Sequence, residues 1–276
     1  MTTHPMKPID DRVSELGEGP VWDVRSATLR WVDIPGGRVH CSDGSTEELP
    51  PPVTAVLPTA TGWATVRQDR VVQGDRAVAV PLGAADRCND AKTDPAGRIW
   101  VGTMSRGELT RRASLFRLDA DGVTEVVSGA SISNGLGWSP DGRRMYWADT
   151  PTGRIDVFDF DPADGSVRDR RPFAATELPD GLTVDAEGGV WVARWGSGLL
   201  HRYAPDGTLD TVLPVGVPHP TSCAFGGPDL RTLYVTTARR PGADGQFARH
   251  AGQLHAIRLA VPGLPATPAL FPPDAT

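Results

Sequence analysis

The sequence predicts an all-β protein, a six-bladed β-propeller with four-stranded antiparallel blades around a central channel. Three observations carry that reading. Short apolar runs alternate at a period of two, and few windows show the 3.6-residue period of a helix. Pairs of such runs are joined by Gly-containing turns and read as hairpins. The hairpins recur six times, with second-strand centres near Trp31, Thr65, Trp100, Trp147, Trp191 and Tyr234, at steps of 34 to 47 residues. That spacing suits a blade of four short strands, and the 31 Gly and 26 Pro supply its turns.

Taken in order, the first hairpin is EGPVWDVRS followed by LRWVDI, and a degraded second copy lies around TAVLPTATGWATV. The third to fifth are NDAKTDPAG with RIWVGT, NGLGWSPDG with RMYWADT, and DGLTVDAEG with VWVARW. The sixth is TSCAFGGPDLRTLYVTT, and GQLHAIRLAV at 252–261 offers a further strand to that last blade, with the N-terminal segment as a second donor. No linker interrupts the series, so residues 1–276 are expected to form a single domain.

No apolar run reaches the roughly 18 residues that span a bilayer, and MTTHPMKPIDDR lacks the apolar core of a signal peptide, which makes the cytoplasm the expected location. Three widely spaced cysteines, Cys41, Cys88 and Cys223, fit reduced thiols better than a disulfide framework or zinc ribbon. The net charge of −6 is interspersed, and the Arg pairs at 143–144, 170–171 and 239–240 are isolated, which argues against nucleic acid as a partner. Nothing implies a membrane or protein partner.

Functional chemistry concentrates in one register. Five residues before the turn positions Asp23, Asp94, Ser139 and Asp185 stand Glu18, Asn89, Asn134 and Asp180; Thr221 and Thr54 hold the corresponding places in the remaining copies. Asn134–Gly135 or Asp180–Gly181 alone would read as a turn dipeptide. Four oxygen-bearing side chains in one register of a radial repeat instead converge on a ring. Two carboxylates and two carboxamides make a hard oxygen set suited to Ca²⁺, Mg²⁺ or Mn²⁺, with Zn²⁺ less favoured. Strand alternation puts Arg87 on the face of Asn89, where a guanidinium would grip an oxygen-rich ligand or pair with a neighbouring blade's carboxylate, and turns Cys88 and Asp90 away. DFDPADG from Asp159 and LDADG at 118–122 lack calcium-loop spacing and read as hairpin turns. Nucleophile-elbow, zincin, P-loop and dinucleotide motifs are absent.

The chain resembles the regucalcin, senescence marker protein and gluconolactonase family of six-bladed propellers. The resemblance runs in order through LGEGPVWD, RCNDAKTDPAGRIWVGTM, SISNGLGWSPDGRRMYWADT, PDGLTVDAEGGVWVARWGSG and HPTSCAFGGPDLRTLYVTTA. It implies metal-dependent hydrolysis of a small-molecule sugar lactone to the aldonic acid, with one divalent cation, Ca²⁺ foremost and Zn²⁺, Mg²⁺ or Mn²⁺ as alternatives. By the same resemblance Glu18, Asn134 and Asp180 match metal ligands, and Asp180 also matches the catalytic acid/base. Arg87 and Asn89 match substrate-binding positions, although in related hydrolases the residue at Asn89 ligates the metal. Where animal regucalcins carry a substrate-contacting Glu soon after GTM, this chain reads GTMSRGELT, which makes Glu108 a candidate for that role; His219, beside the ring position of Thr221, is another. Hydrolysis of organophosphates or other esters, and a non-enzymatic calcium-binding role, are the competing expectations on the same ring.

Overall fold

The computed structural model describes residues 6–105, 111–242 and 244–271. Blade one comprises β2 (Gly17–Asp23), β3 (Thr28–Asp33), β4 (Arg38–Cys41) and β5 (Thr46–Glu48), and blade two β6 (Val53–Thr59), β7 (Gly62–Arg67), β8 (Arg70–Gln73) and β9 (Arg76–Ala79). Blade three is β10 (Arg87–Thr93), β11 (Ile99–Met104), β12 (Ala113–Asp119) and β13 (Gly122–Ala130); blade four is β14 (Ser133–Trp138), β15 (Arg144–Asp149), β16 (Arg154–Phe160) and β17 (Val167–Ala175). Blade five is β18 (Pro179–Val184), β19 (Val190–Arg194), β20 (Leu199–Tyr203) and β21 (Leu209–Pro214). Blade six runs outward through β22 (Pro220–Gly226), β23 (Thr232–Thr237), β24 (His255–Arg258) and the N-terminal β1 (Lys7–Pro8). Every pairing is antiparallel, and β1 closes the ring through Lys7 opposite Ala256 and Pro8 opposite His255. The expected six-bladed propeller is thus present, closed by the N-terminal strand on the last blade.

The core is a set of seams between blades. Trp100 of blade three packs with Leu136 and Met145 of blade four, Tyr146 of blade four with Leu182 and Val192 of blade five, and Trp191 of blade five with Phe225 and Val235 of blade six. The thinnest seams flank blade one, where Val32 and Val39 meet Val53 and Val56 on one side and Leu29 and Trp31 meet Leu254 and Tyr234 on the other. Register refines the repeat. The residue three beyond each ring position pairs with Trp100, Tyr146, Trp191, Tyr234 and, in blades one and two, Arg30 and Ala64. Trp31 and Trp147 therefore lie one residue off the repeat and face the preceding blade, because a single step along a strand changes the face.

The turn residues that set the register are anchors. Asp94 and Asp185 are fully buried. Asp185 accepts hydrogen bonds from the Glu187 and Gly189 backbone N–H groups, from Trp191 Nε1 at 2.9 Å and from Arg202 Nε at 2.7 Å. Asp94 repeats this with Ala96 N, Arg98 N, Arg98 Nη1 and Trp100 Nε1. One carboxylate thereby ties a tight turn to the aromatic residue of the next strand. The DFDPADG and LDADG segments form the β16–β17 and β12–β13 hairpin turns, as expected. Past β24 the chain crosses the end of the channel remote from the ring. Gly263 N donates to Leu230 O, the Thr267 carbonyl accepts from Thr93 Oγ1, Ala269 N donates to Pro58 O and Leu270 N to Gly97 O, so this strap runs from blade six to blades two and three. No helix among the described residues is long and apolar enough to cross a membrane.

Asp185→Ala leaves the Arg202 Nε, a buried indole N–H and two turn amides without their acceptor, although Arg202 keeps Asp210, and should cost about 2 kcal/mol or more in denaturant unfolding; a loss below about 1 kcal/mol would show that the turn holds without its carboxylate.

Candidate metal centre

Each inner strand opens with a register shift where the ring residue stands: between Glu18 and Val21, Cys88 and Ala91, Ser133 and Leu136, and Pro179 and Leu182. A bulge takes residues out of the ladder and re-aims their side chains. Glu18, Asn89, Asn134 and Asp180 are all buried at this level of the inner strands. The glycines that follow two of them serve close approach within strands, not turns. A Cβ on Gly135 would lie 2.5 Å from the Asp180 carbonyl oxygen, and one on Gly181 would lie 2.1 Å from Ser222 Oγ, so only glycine lets these inner strands pack side by side.

The bulge also overturns the simple alternation at RCND. Cys88 does point into the apolar seam between blades two and three, but Asp90 lines the channel with Lys92 instead of turning away. The charge of Asp90 is felt by both Glu18 and Asp180. Three carboxylates from blades one, three and five therefore share one buried, poorly solvated space. Burial, then the charges of Asp180 and Asp90, push the Glu18 carboxyl well above its ordinary pKa. Burial and Asp90 push Asp180 up likewise, with the Asn134 hydrogen bond opposing. Asp90 is raised by burial and partly relieved by Lys92.

Hydrogen bonds assign the polar groups distinct tasks. Asn134 Nδ2 donates to Asp180 Oδ1 at 2.5 Å and to Thr150 Oγ1 at 3.2 Å, which commits the amide nitrogen and leaves the amide oxygen as an acceptor. Asn89 Nδ2 donates to the Ser133 carbonyl at 3.0 Å, and Asn89 Oδ1 accepts from Arg87 Nη1 at 2.8 Å. Arg87 and Asn89 thus share a face, as alternation predicts, and are directly bonded. In the other two blades the register is closed off: Thr221 Oγ1 donates to the Gly17 carbonyl at 2.5 Å, and Thr54 Oγ1 to the Val66 carbonyl at 3.5 Å. Among the described residues no three His, Cys, Asp or Glu side chains form a metal-ligand cluster. The donor set is accordingly mixed, two carboxylates with carboxamide oxygens, a composition that fits a hard divalent cation completed by water or substrate. The mutual repulsion of Glu18, Asp180 and Asp90 is what such a cation would relieve.

Below the ring lies a cavity of about 360 Å³ between the channel floor and the strap residues Leu264–Thr267, with Trp22, Trp138 and Phe225 on its walls. Lys92 Nζ donates across it to the Leu182 carbonyl at 2.6 Å, reaching from blade three to blade five. Burial lowers the Lys92 pKa, and Asp90 opposes that shift. Sequence reasoning missed both Asp90 and Lys92, for which the only available signal was their place in the same inner strand as Asn89.

At the ring end of the channel, His219 directly precedes β22, and its ring lies 4.8 Å from that of Trp195. Its Nδ1 is buried without a hydrogen-bond partner, and burial, then Arg240, lowers its pKa. Glu108 lies outside the described residues. Cys88 and Cys223 are unpaired, with thiols pushed up to about 12 by burial, so neither offers a thiolate at neutral pH.

Residues 16–239 match the family model described as SMP-30/Gluconolactonase/LRE-like region. A pentonolactonase of Haloferax volcanii is 39% identical over 281 residues, covering 92% of this chain and 94% of the relative. A 6-deoxy-6-sulfogluconolactonase of Pseudomonas putida is 35% identical over 271 residues, with 91% and 93% covered. Among solved structures, a calcium-binding regucalcin from Agrobacterium tumefaciens superposes with a TM-score of 0.85 at 27% identity, over 97% of this chain and 98% of that one. The six closed blades, the ring of oxygen donors and a match over residues 16–239 together place this chain in the SMP-30/gluconolactonase/LRE-like family.

Proposed function

We propose that this protein hydrolyses sugar lactones to the open hydroxy acids, using one divalent cation, Ca²⁺ in the first place, held by Glu18, Asn134 and Asp180. The observation that carries the reading is the convergence of Glu18, Asn134 and Asp180 from three blades beside a fixed Arg87–Asn89 pair, in a buried space crowded with carboxylates. The relatives named as a pentonolactonase and a sulfogluconolactonase support lactones of sugar acids as the substrate class. The calcium-binding regucalcin supports the cation.

When bound, the cation would polarise the lactone carbonyl and favour the negative charge that develops on its oxygen. Asp180 is the acid/base. Its carboxylate takes a proton from the attacking water as the new C–O bond forms at the carbonyl carbon, then delivers that proton to the ring oxygen as the ester C–O bond breaks. Asn134 fixes Asp180 through its amide N–H, so the carboxylate does not swing as its charge changes. Arg87 donates to sugar hydroxyls, and Asn89 fixes the plane of its guanidinium. His219 and Glu108 are assigned to substrate contact at the mouth. The whole chain acts as one domain in this reading, in the cytoplasm.

Aldonolactones of five- and six-membered ring size, assayed by acid release on protein stripped with chelator and refilled separately with Ca²⁺, Mg²⁺, Mn²⁺ and Zn²⁺, test the proposal. Turnover should vanish on stripping and return with at least one cation; metal uptake without lactone turnover would leave a calcium-binding role, and turnover of organophosphates or simple esters alone would reassign the substrate. Asp180→Ala should lower kcat by about a thousandfold or more and weaken cation affinity as well, judged against the 10²–10⁴-fold typical of acid–base catalysis alone; an undiminished rate would remove Asp180 from the mechanism. Glu18→Gln, which keeps shape but removes a charge, should weaken Ca²⁺ binding at least about tenfold by calorimetric titration, and equal affinity would contradict its role as a ligand.

A further inference from the structure

The aromatic position of the blade repeat is broken twice, by Ala64 in blade two and by a charged residue in blade one. Trp100, Tyr146, Trp191 and Tyr234 each stand opposite the residue three beyond the ring, and each enters the apolar seam toward the following blade. In blade one that position is Arg30. Its guanidinium carbon lies 4.8 Å from the ring centroid of Trp63 on blade two. Its Nε is buried with no hydrogen-bond partner, and it forms no ion pair among the described residues. A half-buried guanidinium in an interblade seam, with its Nε unbonded and only the Trp63 ring against its plane, is left able to take an anionic partner.

A second guanidinium faces the same space. Arg67 of β7 lines the cavity with Arg30, Trp63 and Thr65, and its Nε donates to Thr65 Oγ1 at 3.3 Å, again with no ion pair among the described residues. The cavity measures about 160 Å³, below the roughly 300–1,000 Å³ of pockets that take drug-sized ligands. It would accept one small group and exclude an intact sugar. Glu47, the single acidic residue on its walls, is exposed and makes no ion pair with either arginine.

We infer that the seam between blades one and two is a small-oxyanion site, in which Arg30 and Arg67 grip a phosphate or carboxylate group and Thr65 donates its hydroxyl. Planar guanidinium forks match the two oxygens of such a group. Trp63 holds the Arg30 plane by cation–π contact, so little side-chain freedom is lost on binding. Thr65 Oγ1 accepts from Arg67 at 3.3 Å, which leaves its own O–H available to an anion. The inference is independent of the lactone reading, because none of these residues belongs to the channel.

Calorimetric titration of the full chain with inorganic phosphate and, separately, with acetate tests it. Saturable binding of at least one anion is expected, with phosphate alone, or acetate alone, identifying which oxyanion the site prefers. Arg30→Met, which restores the apolar character of the other blades, and Arg67→Gln should each weaken binding at least about tenfold, the loss expected for a charge-assisted hydrogen-bonded contact. Arg30→Lys should recover part of the affinity by restoring the charge without the fork. Absence of saturable binding of both anions to the natural sequence would overturn the site, as would unchanged affinity in the Arg30→Met and Arg67→Gln proteins. Arg67→Gln carries the test by itself should Arg30→Met fail to fold.

Discussion

Radial repetition imposes one constraint on which everything else in this molecule depends: a side chain at a given step of one inner strand must face its counterparts across the axis. Apolar residues at that step would simply fill the channel. Glu18, Asn89, Asn134 and Asp180 instead bring oxygens and charge into a space with little water, and the rest of the design answers that cost. Gly135 and Gly181 let the inner strands approach, Asn134 and Arg87 hold the acids and amides in place, and the Lys92 amine sits beneath, partly relieving Asp90. A site assembled in this way is rigid because each ligand is anchored in a different blade, and every blade is locked by its neighbours on two sides.

Much of this was legible in the amino-acid order because hairpins leave a local signature. Asp94, Ser139 and Asp185 mark turns through residue type alone, and counting back from them reaches the ring without any knowledge of tertiary contacts. The bulges left no such mark. Alternation from Arg87 assigned Asp90 to the wrong side, since a bulge is a non-local compromise between an inner strand and its partner. The one-residue offset of Trp31 and Trp147 has a similar origin: both are aromatic, and only pairing reveals which face they take. The strap through Gly263 to Leu270 was illegible for a different reason. PGLPATP has neither strand nor helix periodicity, and its place is fixed by isolated hydrogen bonds to turns far away in sequence.

The two halves of the molecule also differ in how they spend their polar groups. In blades three and five, the turn aspartates, the tryptophans and Arg98 or Arg202 form closed local networks in which buried donors meet acceptors. Blade one offers Arg30 where those blades place a ring, and blade two offers Ala64 beside a short outer hairpin. Departures from a repeat are where an individual chain acquires properties that its architecture does not require.

The closure of the ring has a mechanical consequence. The last blade is completed by two residues, Lys7 and Pro8, that come from the opposite end of the chain, while every other strand pairs with a neighbour that directly precedes or follows it in sequence. Tension applied at the N-terminus would therefore peel away one short strand before it disturbed any hairpin, leaving β24 with a bare edge and the blades still folded. A bare edge is a template for the same strand from another copy. The latch that makes this chain a closed ring is thus also the place where two chains would most readily exchange parts, trading a self-contained wheel for a linked pair.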